Sequence, residues 1–161
     1  MKVIECPNTF LSVGQTSLFL GGGISRCPDW QADMIRRLQH VDDRNSELLL
    51  INPRRHNFNI DDAETTRFQI SWEYQHIKRS SAMLFWFPSE TLCPITLYEL
   101  GAMSATNKPI FVGCHPSYVR KLDVEVQMSL SRPEVRVVDS LSDLAASVID
   151  WNDNLQRMLD K

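Results

Sequence analysis

The chain has no long hydrophobic run, no paired cysteines and no dominant charge. Its apolar stretches fall well short of the roughly eighteen residues that a bilayer-spanning helix needs, so none is expected. The first fifteen residues, MKVIECPNTFLSVGQ, lack the apolar core of a signal peptide. The four cysteines, Cys6, Cys27, Cys93 and Cys114, are scattered without a C-x-x-C pair and read as free thiols of an intracellular chain. A formal net charge of −3 argues against a nucleic-acid or anionic-membrane partner. Internal repeats, low-complexity tracts and linkers are missing too. What is left is a composition 43% hydrophobic and 23% charged over 161 residues. That is enough chain for one full core, expected as a single cytoplasmic domain over residues 1–161.

Short apolar runs alternate with longer amphipathic ones. SLFLGGG (17–23), ELLLI (47–51), AMLFWF (82–87), PIFVG (109–113) and EVRVV (134–138) read as strands. Between them, DWQADMIRRLQH (29–40) has Trp30, Met34, Ile35 and Leu38 at helical spacing behind Asp29, a candidate N-cap. Further helices are expected across 64–80, about 95–106 and 142–159. Strands apolar throughout and separated by helices imply a parallel sheet covered on both faces. The expectation is an α/β, flavodoxin-like, doubly wound sheet of five strands in the order 2-1-3-4-5. Ligands of such sheets lie beyond the carboxyl ends of the strands, at the topological switch. The loops in question are Gly21 to Asp29, Asn52 to Asp62, Pro88 to Ile95 and Cys114 to Ser117.

LCPITLYELG (92–101) places a carboxylate, Glu99, in largely apolar surroundings. Its helical neighbours are Ile95, Thr96, Ala102 and Met103. Two readings stand. Either Glu99 complements the helix dipole with its head in water, or it is held poorly hydrated as a nucleophile for a sugar carbon. In QISWEYQHIK, Gln69, Glu73, His76 and Ile77 fall on nearly one helix face, as a solvated polar surface or as a second site carboxylate with its support. Glu73 and His76 make a single Glu-x-x-His copy, which by itself predicts no metal. Cys27, Cys93, Cys114 and His115 follow strand ends, but their spacing is not that of a zinc site. Gly21, Gly22 and Gly23 allow close backbone approach. Arg26 occupies the third glycine's place in GxGxxG, so a dinucleotide fingerprint fails. Arg54 and Arg55 of NPRR are guanidinium forks for phosphate or carboxylate, or plain surface arginines. Trp72 is either core or the wall of a base-sized pocket.

Taken together, FLGGGI, DWQ, NPRR, FQISWEYQHI, FWFPSETLCPITLYELG and KPIFVG resemble, in order over about residues 18–124, the nucleoside 2-deoxyribosyltransferase-like family. The resemblance implies a flavodoxin-like fold, homo-oligomers and cleavage of the N-glycosidic bond of deoxynucleosides or deoxynucleotides, with no cofactor and no metal. It makes Glu99 the residue that attacks the anomeric carbon and Glu73 the acid that positions the sugar or handles the proton of the base. Candidate substrate contacts are Gly21, Gly22, Gly23, Asp29, Trp30, Asn52, Arg54 and Arg55, then Gln69, Trp72, Cys93, Thr96 and Asp123. Three positions depart from the family's pattern. Phe19 stands for a tyrosine that contacts the nucleophile, Cys93 for an aspartate of the preceding loop, and Asp123 for an asparagine given by a neighbouring subunit. Transfer of the sugar to a second purine or pyrimidine base is the leading expectation. Hydrolysis with the same glutamate and a non-catalytic nucleotide-binding module are the alternatives. A flavin carrier is a weaker rival, because no hydroxyl-rich phosphate loop follows the first strand.

Overall fold

The computed structural model of the protein describes residues 1–10, 14–40, 48–55 and 62–159. The elements run β1 (Lys2–Glu5), β2 (Ser17–Gly22), α1 (Trp30–Gln39), β3 (Leu49–Asn52), α2 (Ala63–Arg79) and β4 (Ala82–Phe87). They continue through α3 (Pro94–Ser104), β5 (Ile110–Cys114), α4 (Lys121–Ser131), β6 (Val137–Val138) and α5 (Leu141–Leu159). All six strands pair in parallel in one sheet of order β1-β3-β2-β4-β5-β6. Counted from β2, this is the expected 2-1-3-4-5 arrangement.

The sheet has six strands rather than five. β1 escapes a reading based on apolar runs because it is four residues long and buries only Ile4. It lies at the edge, with Glu5 opposite Asn52 of β3. The strand expected over 134–138 shrinks to Val137–Val138, since Glu134 and Arg136 are exposed. Helix α4 has no clear periodic signature either. Val124 and Met128 face the core, while Leu122, Val126 and Leu130 point outward and blur the stripe. Glu47 of the second expected strand, and residues 56–61 of the Asn52–Asp62 loop, lie outside the described residues.

Alternation within the strands divides the core. Met83, Phe85 and Phe87 of β4 join Phe19, Leu49 and Ile51 against Trp72, Leu100, Val124 and Met128 of α2, α3 and α4. Ala82, Leu84 and Trp86 point the other way, joining Leu18, Leu20 and Leu50 against Met34 and Leu38 of α1 and Val148 of α5. The central strands β2, β3 and β4 are therefore apolar on both sides, as a sheet with two helical layers requires.

Helix starts cluster at the carboxyl edge. The Asp29 carboxylate accepts the Ala32 N–H at 3.0 Å and begins α1. Asp62 accepts the N–H groups of Glu64 and Thr65 and begins α2. α3 starts differently. Cys93, at φ 50° and ψ 52°, is left-handed and gives no side-chain cap, and Pro94 fixes the first turn. A non-glycine residue held there costs on the order of 1 kcal/mol or more, and such strain clusters at functional sites. Among the described residues no helix is long and apolar enough to cross a membrane.

Candidate active site

β2, β3 and β4 end around one cleft of about 610 Å³, within the range of small-molecule sites. Phe19 and Gly21 lie at its base. The loop from Gly22 to Ser25 and the turn from Pro53 to Arg55 form two sides. α2 contributes Thr66, Gln69, Ile70 and Glu73, and the opposite wall is Thr91 and Cys93 through Thr96, with Glu99. On α2 these residues step back from Glu73 by three, four and seven positions, and on α3 Thr96 and Ile95 step back from Glu99 by three and four, the spacing of one helical face. That periodicity, counted from Glu73 and Glu99, points to Thr66 and Ile70, which the sequence reading passed over. Ile24 and Ser25, next along the chain from the glycines, were passed over too.

The two carboxylates are the chemical centre. Burial pushes the Glu99 carboxyl up to about 7, and the negative charge of Glu73 adds to the rise. Burial also raises Glu73, against the hydrogen bond it accepts from Gln69. Gln69 is itself 7% exposed and joins α2 to the turn after β3. Its Nε2 donates to Glu73 Oε1 at 2.7 Å and to the Pro53 carbonyl at 2.9 Å, while Oε1 accepts from Arg55 Nη1 at 3.4 Å. Arg55, Gln69 and Glu73 thus form one hydrogen-bonded chain facing Glu99 across the cleft. Two like charges in poorly hydrated surroundings ionise one at a time, so the pair is suited to hold one proton near neutrality.

Arg54 does other work. Its Nε donates to Gln31 Oε1 at 2.9 Å and pairs with Asp29 at 3.3 Å. Its Nη2 donates to the carbonyls of Pro28 at 3.1 Å and Gly23 at 3.4 Å. The guanidinium therefore clamps the glycine loop onto the start of α1. Trp30 helps from beneath, donating from Nε1 to the Gly23 carbonyl at 2.7 Å.

The glycines serve this packing as much as a ligand. A Cβ on Gly22 would fall 2.5 Å from the Trp86 carbonyl oxygen and into the Trp30 ring, and one on Gly23 would sit 2.9 Å from Cys93 Sγ. Gly22→Ala is expected to cost about 1–3 kcal/mol through overpacking, because the carbonyl belongs to the neighbouring strand. Chemical denaturation would read the loss.

Of the sequence candidates, the cleft gathers Gly21, Gly22, Gly23, Arg54, Arg55, Gln69, Glu73, Cys93, Thr96 and Glu99. Five others do not line it. Asp29 caps α1, and Trp30 lies under the loop, 3% exposed. Asn52 bonds Glu5 and the Arg54 N–H. Trp72 is buried and donates to the Asn8 carbonyl. Asp123 sits exposed on α4, 3.5 Å from Arg120. Among the described residues no three His, Cys, Asp or Glu side chains are placed to hold a metal ion.

The family model described as nucleoside 2-deoxyribosyltransferase like matches residues 15–118, a span that contains every residue lining the cleft. No individually curated protein matches the chain. With a parallel α/β sheet, a carboxylate pair in the cleft at its carboxyl edge and a match over more than half its length, the chain belongs to the nucleoside 2-deoxyribosyltransferase-like family.

Proposed function

We propose that the cleft breaks the N-glycosidic bond of 2′-deoxynucleosides by double displacement, with Glu99 as nucleophile and Glu73 as proton carrier. The observation that carries this reading is the pair itself: two carboxyls in one cleft, both raised by burial, within electrostatic reach of each other. Glu99 is the carboxyl raised to about 7 and Gln69 donates to Glu73, so the resting proton lies on Glu99 and passes to Glu73 as the nucleophile is freed. A Glu99 oxygen bonds C1′ as the C1′–N bond breaks, and the departing nitrogen takes its electron pair together with the Glu73 proton. The sugar is then an ester of Glu99, and Glu73 is a carboxylate. In the second half a nitrogen of an incoming base loses its proton to Glu73 and displaces Glu99 from C1′. Two inversions leave the configuration retained. Water in place of that base gives hydrolysis.

The hydrogen bonding around the turn supports a nucleoside over its 5′-phosphate. Arg54 is committed to Gln31, Asp29 and three acceptors of the glycine loop, and Arg55 to Gln69. Recruiting Arg54 for phosphate would unclamp the glycine loop from the start of α1. Base release measured with a deoxynucleoside and with its 5′-monophosphate is expected to favour the nucleoside by about tenfold or more in kcat/KM, the scale of one charge-assisted hydrogen bond. A preference for the monophosphate would overturn this assignment. Sugar release that does not depend on an acceptor base would identify a hydrolase.

The protein is further proposed to be a homo-oligomer. Ile70 and Ile95 at the cleft rim are 59% and 65% exposed, and Tyr74 and Tyr98 beside them are 62% and 76% exposed. This apolar strip on α2 and α3 is the kind of surface a second copy covers.

A further inference from the structure

Residues 2–10 lie outside the span matched by the family, yet they touch both supports of the Glu73 wall. The first support is the turn after β3. Glu5, the last residue of β1, accepts from Asn52 Nδ2 at 3.0 Å, and Asn52 Oδ1 accepts the Arg54 N–H at 3.1 Å. The Asn52 amide is held from both ends and shapes the turn whose Pro53 carbonyl takes the Gln69 bond. The second support is α2. The Asn8 carbonyl accepts from Trp72 Nε1 at 2.8 Å. Trp72 stacks on His76 with ring centres 3.8 Å apart, and the Phe10 ring lies 5.6 Å from His76, tilted against it. Because His76 Nδ1 is 2.7 Å from the Trp72 carbonyl, which only accepts, the imidazole carries its proton there. Trp72 and His76 bracket Glu73 along the helix. Between the two supports sits Cys6, 6% exposed and within electrostatic reach of both Arg55 and Glu73.

We propose that the segment Glu5–Phe10 is a positioning element of the site: Glu5 acting through Asn52, and the Asn8 carbonyl acting through Trp72, fix the Arg55–Gln69–Glu73 chain against Glu99. These contacts fall on the catalytic end of the sheet and on the α2 turn that carries Glu73. The inference rests on the reading of Glu73 and Glu99 as the reacting pair. Among the described residues, the charged and titratable groups around Glu73 are Glu99 from α3, Arg55 from the turn and Cys6 from this segment.

Two independent cuts test it. Glu5→Ala removes the acceptor for Asn52, and Trp72→Phe removes the donor to Asn8 while keeping an aromatic ring against His76. Each is expected to lower kcat for base release by about 5- to 20-fold with KM changed by less than about twofold, the effect of misplaced groups rather than lost binding. Each should also shift the upper carboxyl titration of the pair, at about 7 in the parent protein, by about half a unit or more in carbon-13 spectra of labelled glutamate. Glu5→Gln, which keeps an acceptor oxygen, should restore both. Parental kinetics and parental titration in folded Glu5→Ala overturn the proposal even if Trp72→Phe fails to fold. A parent protein that releases no base refutes the functional reading instead, and the titration then decides the positioning alone.

Discussion

Glu99→Gln is expected to lower base release by roughly 10⁴-fold or more, the scale of removing a nucleophile that works as part of a unit. Mixed with a deoxynucleoside, the parent protein should gain the mass of one deoxyribosyl group, and the variant should gain nothing. The same change should stabilise the fold at alkaline pH. In the folded protein the Glu99 carboxyl titrates at about 7, well above its ordinary value. Between these two values the folded chain keeps a proton that the unfolded chain has released, so stability falls as pH rises through that window. Above it the whole penalty applies. Gln escapes the penalty, and the gain near pH 8 is expected on the order of 1–3 kcal/mol, or a few degrees in Tm. Near pH 4, where both forms are neutral, the gain should vanish. A variant that loses activity and gains no alkaline stability would place Glu99 in water rather than in a dry cleft.

Glu73→Gln is the second large effect, and it depends on the leaving group. Loss of a positioned proton donor costs about 10²- to 10⁴-fold. A nucleoside whose base leaves poorly should bear that loss in full. A sugar carrying an activated leaving group that departs as a stable anion should lose far less. Equal losses for both would remove the proton-carrying role and leave Glu73 as a sugar anchor. The pH profile should change shape too. The parent is expected to show a bell, falling at acid pH when both carboxyls are protonated and at alkaline pH when both are ionised. With Gln at 73 the alkaline limb should disappear. The single remaining limb should lie below about 7, the upper titration of the parent, since the charge of Glu73 is one of the two causes holding Glu99 up.

The fold was legible wherever burial on both faces produces an unbroken apolar run, as in β4, with six buried residues in a row. β1 and α4 were not, because each turns only one or two residues to the core. At the site, Glu99 stands out because a carboxylate among apolar neighbours asks for a reason, and Glu73 through its helix face shared with Gln69 and His76 and through the family resemblance. Arg54 and Trp72 looked like ligand groups, since the sequence lists donors without their acceptors. Only the folded chain shows that the Arg54 guanidinium answers to Gln31 and the glycine loop, and that the Trp72 indole answers to Asn8. Both contacts join residues far apart along the chain, beyond the reach of any local pattern.

The edge position of β1 has a consequence for synthesis. Among the described residues it pairs with β3 alone, so during synthesis this strand has no hydrogen-bonding template until Leu49–Asn52 has been translated. Until then Lys2–Glu5 waits as unpaired backbone. When it docks, the side chain of Glu5 reaches Asn52, and only from that moment is the turn that carries both arginines anchored at each end.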